Sequence, residues 1–223
     1  MKTAKLRIFT ATALLLTAIF SALLLSACNK RVWREYYHEY DAAEIVSVNV
    51  DVHDRNVIFK VTDDGKITLN GYDCDQEYYE TTLDGGTMNI VLTDNKDLSD
   101  YIGYNDGECK DTLTIGIPQS ALDRLTISTN NGNVDLANLL VGGNIEVSVN
   151  NGDIRLNGAA AGVSAQYVVK NGNIGGTVGG NYSDYEISVT IKKGGSNLEN
   201  KTDGSKKLAL NVNNGDVNLG FAE

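Results

Sequence analysis

The most regular feature of the chain is an alternation of apolar and polar residues that recurs about every twenty residues from residue 125 onward. Each copy places an apolar or β-branched residue seven, five and three positions before a glycine, and in most copies another two positions after it. The glycines are spaced 20, 20, 22 and 21 residues apart, at Gly132, Gly152, Gly172, Gly194 and Gly215. Alternation with a period of two predicts strands with one buried face, and a fixed longer period predicts a repeat architecture.

The columns of this repeat are easily read from the sequence. The four columns, from the earliest position to the latest, are Leu125, Ile145, Ala165, Ile187 and Leu208; then Ile127, Val147, Tyr167, Val189 and Leu210; then Thr129, Val149, Val169, Ile191 and Val212; then Val134, Ile154, Ile174, Ser196 and Val217. The intervening residues, such as Thr126, Ser128 and Glu146, are polar, and we expect them to face water. The copy that ends at Gly194 is degenerate.

Asparagine precedes four of the five glycines, at Asn131, Asn151, Asn171 and Asn214. Asn-Gly is a strong hairpin signal, so an antiparallel β-sandwich of hairpins is one interpretation. The other is a β-solenoid, a β-helix-like stack of roughly 20-residue coils with the Asn-Gly corners on top of one another. Stacking gives a reason for holding the same columns over ninety residues, because each column becomes a ladder of touching side chains. We therefore predict an all-β, solenoid-like fold.

The chain between residues 44 and 118 is β-rich but less regular. Alternation predicts strands over 44–52, 57–61, 87–92 and 112–117, with Ile67 and Leu69 in another strand after the turn Asp63, Asp64 and Gly65. Residues 94–111 are polar and predict a long surface loop. We expect one β-rich repeat domain over 44–223, most regular from 113 to 221.

The N-terminus carries the pattern of an export signal. Three basic residues precede an apolar run of about residues 8–25, which ends in Leu25, Ser26, Ala27 and Cys28. This order is that of a secretory signal peptide. The small residues before Cys28 resemble the lipobox of bacterial lipoproteins, which implies removal of residues 1–27 and lipidation of Cys28. Residues 28–43 would then form a lipidated stem or cap, and the chain would be exported and held on the outer side of a bacterial membrane.

Charge and cysteine content narrow the possibilities further. Removing residues 1–27 takes away three of the 19 basic residues and none of the 29 acidic ones, so the net charge changes from −10 to −13. Such a charge argues against nucleic-acid binding through a basic patch. The remaining cysteines, Cys74 and Cys109, are an even pair that an oxidising compartment allows to form a disulfide, although two separate thiols are equally compatible with their spacing. With two histidines and no CxxC, the sequence predicts no structural metal site.

The repeats resemble a known family. The Ile117-Pro118 lead-in, followed by Leu125 to Val134 and then by repeated Asn-Gly-[Asn/Asp]-[Ile/Val] coils, is similar to the adhesin-like domains of unknown function in bacterial envelope proteins. The resemblance covers about residues 42–221. It implies a β-helical, surface-tethered module without known enzymatic activity and carries over no catalytic residues.

The candidate chemistry of the sequence is sparse. The repeat acids Asp135, Asp153 and Asp216 could serve a glycan-active enzyme, but Asn replaces Asp at equivalent corners, which indicates turn chemistry. Acidic turns at 63–65, 94–100 and 105–108 supply oxygen ligands for calcium without matching a known calcium loop. Tyr101, Tyr104, Tyr182 and Tyr185 either stack on sugars or are ordinary half-buried residues.

We therefore expect no enzymatic activity and no cofactor, with calcium as a weak alternative. The expected function is that of a lipid-anchored, adhesin-like or scaffold module that binds an extracellular polymer or protein through its repeat surface. An accessory or sensor component of an envelope-stress system, acting with a membrane protein, is the alternative. A glycan-active β-helix enzyme is the third possibility.

Overall fold

The computed structural model describes residues 32–96, 111–119 and 122–222. These residues form β-strands and two short 3₁₀ helices, Ala42–Glu44 and Tyr182–Asp184. The strands are β1 (Arg34–Asp41), β2 (Ser47–Val52), β3 (Asn56–Thr62), β4 (Lys66–Asp73), β5 (Glu77–Asp84), β6 (Thr87–Asp94), β7 (Thr112–Pro118), β8 (Arg124–Asn131), β9 (Val134–Ala137), β10 (Leu140–Val141), β11 (Asn144–Asn151), β12 (Ile154–Ala161), β13 (Ser164–Asn171), β14 (Ile174–Gly179), β15 (Tyr185–Lys193), β16 (Lys206–Asn214) and β17 (Val217–Ala222).

The chain divides into two compact units. One comprises Met1–Trp33 and Asn95–Cys109 and lies almost entirely outside the described residues. The other comprises Arg34–Asp94 and Lys110–Glu223 and contains all the strands given above. No helix among the described residues has the length and apolar character needed to cross a membrane. The predicted signal peptide and Cys28 lie outside the described residues.

The strands form two sheets whose inner faces share one core. Sheet A has the order β1, β4, β7, β3, β9, β12, β14, β17, with β10 paired to β12, and sheet B has the order β15, β16, β13, β11, β8, β2, β6, β5. Neighbouring strands of the repeats are parallel, as in β8, β11, β13 and β16. Antiparallel pairs among the described strands occur at one end of the stack, between β1 and β4, β4 and β7, and β5 and β6. The solenoid prediction is confirmed, and the hairpin alternative is wrong for the repeats because hairpins would make consecutive strands antiparallel.

Each repeat except the degenerate one is a coil that gives a strand to each sheet. Leu125 pairs with Ile145, Ile145 with Ala165, and Ala165 with Leu208, so the apolar columns of the sequence are ladders in the core. The side chains of these ladders are almost completely buried. Full burial of a Leu or Ile side chain contributes about 1.5–3 kcal/mol. The repeated columns are therefore the main source of stability in this unit.

One coil was not recognised in the sequence. Strands β2 and β3 pair with β8 and β9 in the same register, with Val48 opposite Leu125 and Val57 opposite Val134. Arg55 takes the place of the repeat glycine in this coil, and Asp54 takes the place of the preceding asparagine. Without an Asn-Gly pair, nothing marked residues 47–59 as a copy of the repeat.

The coils do not stack in the order of the sequence. Strand β16 lies between β13 and β15, so the degenerate copy, which precedes β16 in the chain, forms the edge of sheet B. Val189 and Ile191 in this copy are half-buried, and Ser196 is exposed. A copy with a weak apolar pattern suits the end of a stack, because only one side of it is covered by another coil.

The edge strands at this end carry side-chain caps. In sheet A, the side chain of Asn197 accepts a hydrogen bond from the backbone N–H of Leu219 at 3.0 Å and donates to its carbonyl at 2.9 Å, beside the edge strand β17. In sheet B, Asn200 Oδ1 accepts from the backbone N–H of Val189 at 2.7 Å. Open edges invite pairing with other chains, and these asparagines satisfy part of both edges.

The opposite end is covered by β1 and β4 in sheet A and by the β5–β6 hairpin in sheet B. Strand β1, which lies within the predicted stem over 28–43, pairs with β4 and forms the edge of sheet A. Its Tyr36 packs against Tyr79 of β5, with the ring centroids 4.9 Å apart. An aromatic contact therefore joins the edges of the two sheets. The placement of the domain boundary between residues 43 and 44 stays a prediction.

Candidate functional site

The repeat glycines stack in one column at a corner of the coil. A Cβ atom added to Gly152 would lie 2.2 Å from the carbonyl oxygen of Gly132, and a Cβ on Gly172 would lie 2.0 Å from that of Gly152. A Cβ on Gly215 would lie 1.9 Å from the carbonyl oxygen of Gly172, and a Cβ on Gly194 would lie 1.9 Å from that of Gly215. A side chain at any of these positions would force neighbouring coils apart. Close stacking of the corner therefore requires glycine.

The asparagines beside these glycines form a hydrogen-bonded ladder, here called the asparagine ladder. Nδ2 of Asn151 donates to Oδ1 of Asn131 at 2.8 Å, Nδ2 of Asn171 to Oδ1 of Asn151 at 2.8 Å, and Nδ2 of Asn214 to Oδ1 of Asn171 at 2.7 Å. An interior member of the ladder uses both ends of its amide. Aspartate cannot replace it, because a carboxylate at neutral pH has no hydrogen to donate.

The residues that follow the glycines form a second ladder, which explains why Asn and Asp alternate there. Oδ1 of Asn133 accepts from the backbone N–H of Asp153 at 2.8 Å, and Oδ1 of Asp153 accepts from that of Asn173 at 2.9 Å. The contacts continue through Asp216 to Gly195. Only an acceptor is needed, so either residue serves. The sequence indicated turn chemistry at these positions, and in the structure the side chains bond the backbone of the next coil.

Charged residues begin both the glycine column and the asparagine ladder. Asp54 Oδ1 accepts from Nδ2 of Asn131 at 2.5 Å, which needs no donor on the aspartate. Arg55 precedes Gly132 in the column and carries a side chain that is 3% exposed. Its Nη2 lies 2.6 Å from Oε2 of Glu77, and its Nε donates to the hydroxyl of Tyr79 at 3.2 Å. This buried ion pair attaches strand β5 to the start of the column.

The outer side of sheet B next to this corner is a regular polar surface, here called the polar face. It consists of two columns in register, six strands long: Asn49, Thr126, Glu146, Gln166, Ala209 and Ser188, and Asp51, Ser128, Ser148, Val168, Asn211 and Thr190. All are half-buried or exposed. A shallow groove crosses its centre, over β8, β11 and β13. Parallel strands lie about 4.8 Å apart, so the six strands extend over about 24 Å.

The repeat acids do not converge on one point. Arg155 lies between two of them, with Nη1 3.7 Å from Oδ1 of Asp135 and Nη2 3.5 Å from Oδ2 of Asp153. Oδ1 of Asp216 accepts a hydrogen bond from the backbone N–H of Gly195 at 2.7 Å. The arrangement is one of charge pairing and backbone capping.

The remaining predicted ligands are dispersed. Within the described ranges, no three His, Cys, Asp or Glu side chains are placed to hold a metal ion. Asp64 of the first acidic turn accepts from the backbone N–H of Lys66 at 3.2 Å. Most of the other two acidic segments, with Tyr101 and Tyr104, lie outside the described residues. Tyr185 is buried, and its hydroxyl donates to the carbonyl of Gly179 at 2.5 Å, whereas Tyr182 is 44% exposed.

The cysteine pair is only half described. Cys74 is buried, and its backbone N–H donates to the carbonyl of Glu77 at 2.7 Å. Cys109 and the lipidation residue Cys28 lie outside the described residues, so the disulfide and the lipidation stay predictions.

The parallel two-sheet stack and its asparagine corner define a β-solenoid repeat protein. The chain belongs to the Toastrack DUF4097 family, whose model matches residues 45–223. No curated protein matches the sequence. A solved structure of a candidate cell adhesion protein from Clostridium sporogenes ATCC 15579 has a similar fold. The match covers 86% of this chain and 100% of that chain, with a TM-score of 0.61 and 9% identity.

Two further solved structures match less well. A candidate adhesin from Bacteroides fragilis NCTC 9343 aligns over 86% of this chain and 100% of its own, with a TM-score of 0.44 and 15% identity. A candidate lipid-binding protein from Parabacteroides distasonis ATCC 8503 aligns over 87% and 99%, with a TM-score of 0.26 and 12% identity. These two similarities are too weak to support an inference about this chain.

Proposed function

We propose that this protein is a non-enzymatic, lipid-anchored component of the bacterial cell envelope that holds an extended polymer or an extended protein segment on its polar face. The observation that carries the proposal is the register of the two outer columns of sheet B, which repeats the same surface position on six successive strands. An extended chain with its own repeat can make the same kind of contact at each strand.

The composition of the polar face favours hydrogen bonding over apolar or ionic binding. Its side chains are mainly hydroxyls and amides, and the two charged members are Asp51 and Glu146. Parallel pairing holds the backbone beneath every member, so little conformational freedom is lost when a ligand binds. Many weak contacts on a rigid surface suit a hydroxyl-rich chain.

The lipid anchor and the exported location rest on the sequence before Cys28. The similar structure from Clostridium sporogenes supports a surface role, since that protein is described as a candidate cell adhesion protein. Asp135 and Asp153 both lie against the guanidinium of Arg155, which supports a charge-pairing role for these acids over a role in glycan hydrolysis.

Binding can be tested with the purified full chain on purified peptidoglycan sacculi and a panel of soluble envelope polysaccharides. Ser148→Arg places a long cation at the centre of the polar face. Asn218→Arg makes the same kind of change at an exposed position of sheet A. We expect Ser148→Arg to abolish retention and Asn218→Arg to keep it. Retention by no polymer contradicts the polymer form of the proposal, and equal loss in both variants contradicts the polar face as the binding surface.

Anchoring has a separate test in a bacterial host. The full chain should incorporate an alkyne-tagged fatty acid and sediment with membranes, whereas Cys28→Ser should remain unlabelled. If both chains are unlabelled, the lipid anchor is wrong even if the polar face binds a polymer.

A further inference from the structure

The asparagine ladder places a chemically labile pair, Asn-Gly, on four successive strands of sheet B. In such a pair the glycine nitrogen attacks Cγ of the asparagine, a C–N bond forms and ammonia leaves. Water then opens the succinimide ring to give aspartate or isoaspartate. We infer that Asn214–Gly215 is the site of spontaneous deamidation in the ladder, and that the edge strand β15 controls its rate. This inference is independent of the proposed function.

The fold protects the interior pairs by occupying the attacking nitrogen. The backbone N–H of Gly132 donates to the carbonyl of Asn151, that of Gly152 to Asn171, and that of Gly172 to Asn214, each at 3.0 Å. The strand that supplies each carbonyl belongs to a coil with a second strand in sheet A. Freeing the nitrogen therefore requires two complete coils to separate, which costs a large part of the stability of the stack.

The last pair is protected by much less structure. The backbone N–H of Gly215 donates to the carbonyl of Lys193 at 2.9 Å, and Lys193 ends β15, the edge strand of sheet B. Among the described residues, this terminal copy has no strand in sheet A. Its links there are the isolated bridge between Ser196 and Val217 and the two side-chain bonds between Asn197 and Leu219. Fraying of β15 alone frees the nitrogen of Gly215.

Deamidation at this position also weakens the next one. Nδ2 of Asn214 donates to Oδ1 of Asn171, and its carbonyl holds the N–H of Gly172. Aspartate has no hydrogen to donate to Asn171, and isoaspartate adds a carbon to the backbone of β16. Either product disturbs the contact that protects Asn171–Gly172. Deamidation should therefore proceed inward from the β15 end.

The test is peptide mapping by mass spectrometry after incubation of the purified full chain at mildly alkaline pH. In the folded chain we expect Asn214 to convert first, and Asn131 and Asn151 at least roughly tenfold more slowly. In concentrated urea the four pairs should convert at similar rates, since they share the same dipeptide. Conversion of Asn131 or Asn151 in the folded chain as fast as Asn214 overturns the inference.

A pair of variants tests the role of β15. Asn200→Ala removes the acceptor for the N–H of Val189 and loosens the strand, so deamidation of Asn214 should accelerate roughly two- to tenfold. Asn49→Ala removes an amide from the other end of sheet B, where Nδ2 donates to Asn89 at 3.2 Å, and should leave that rate unchanged. An unchanged rate in folded Asn200→Ala contradicts control by β15. If that variant does not fold, the comparison of the folded and urea-treated wild-type chain still decides the inference.

Discussion

Replacing one stacked glycine with alanine should damage this fold far more than an ordinary surface substitution. In Gly172→Ala, the new Cβ would lie 2.0 Å from the carbonyl oxygen of Gly152 and 2.7 Å from its carbon. The second distance is about 0.8 Å shorter than the ~3.5 Å at which carbon atoms normally touch. The φ angle of Gly172 is 142°, a conformation that other residues adopt at a cost.

The expected loss of stability follows from the overlap of the new Cβ and from the strained backbone conformation. Overpacking of a tightly packed site costs about 1–3 kcal/mol, and a strained backbone conformation costs about 1–3 kcal/mol more. The free energy of unfolding should therefore fall by about 4 kcal/mol, against a total of about 5–15 kcal/mol for a typical domain.

The measurement is urea unfolding followed by far-ultraviolet circular dichroism, with Gly175→Ala as the matched control. A Cβ on Gly175 would have the carbonyl oxygen of Asn218 as its neighbour, at 3.7 Å, which is an ordinary contact. The control should change the free energy of unfolding by no more than about 1 kcal/mol. If Gly172→Ala is as stable as Gly175→Ala, the close stacking of the corner is refuted.

Three further predictions use the same unfolding measurement. Tyr167→Phe should raise the free energy of unfolding by about 1 kcal/mol, because the hydroxyl is buried without a hydrogen-bond partner among the described residues. Tyr185→Phe should lower it by about 1 kcal/mol, because it removes the hydrogen bond to the carbonyl of Gly179. Asn151→Asp should lower the free energy of unfolding by about 1–2 kcal/mol, because the asparagine ladder needs the amide hydrogen. Asp216→Asn should change it by less than about 0.5 kcal/mol, because this position acts only as an acceptor. Arg55→Met should lower it by about 3–5 kcal/mol by removing the guanidinium that lies 2.6 Å from the buried carboxylate of Glu77, and adding Glu77→Gln should recover part of the loss.

For each of these three predictions, one result would contradict the physical reason given. Equal effects of the two tyrosine changes would mean that the hydroxyl of Tyr167 has a partner. Equal effects of Asn151→Asp and Asp216→Asn would mean that the two ladders do not differ in their need for a donor. A stable Arg55→Met single variant would mean that Glu77 is not held by Arg55.

Tyr167 also gives the protein a dependence on alkaline pH. Burial raises the pKa of its hydroxyl above the ordinary value of about 10. The folded chain keeps the neutral form, whereas the unfolded chain loses the proton near pH 10. The stability linked to this group is therefore complete below that pH and is lost as the pH rises beyond it. Tyr167→Phe should lose less stability than the wild type between pH 9 and pH 11 (approximate limits).

The repeat region was predictable because its information is local and repeated. Columns such as Leu125, Ile145 and Ala165 alternate with polar residues at a fixed period, and that pattern has few structural solutions. The glycine and the asparagine of each corner could be identified before the structure, since both recur in the same place. The inter-coil bonds of Asp153 and Asp216 could not, because their partners lie one coil away.

Two features of the stack had no signal in the sequence. The coil of residues 47–59 has Asp54 and Arg55 where the others have Asn and Gly, and Asp54 needs no donor because it only accepts from Nδ2 of Asn131. The order of the last two coils was hidden because stacking neighbours need not be neighbours in the chain. Strand β16 fits against β13 since its apolar residues are complete, which leaves the degenerate copy at the edge.

The polar face and the protection of Asn214 both require the strands of sheet B to stack in the order described. Paired cysteines on the outer surface test that order, because a disulfide forms only when the two Cα atoms are about 4.4–6.8 Å apart. Ser188 of β15 lies opposite Ala209 of β16, and Ala209 lies opposite Gln166 of β13. Peptide mapping after oxidation should show a bridge in the Ser188→Cys, Ala209→Cys variant and none in the Ser188→Cys, Gln166→Cys variant. A bridge between positions 188 and 166, with none between 188 and 209, would contradict the stack.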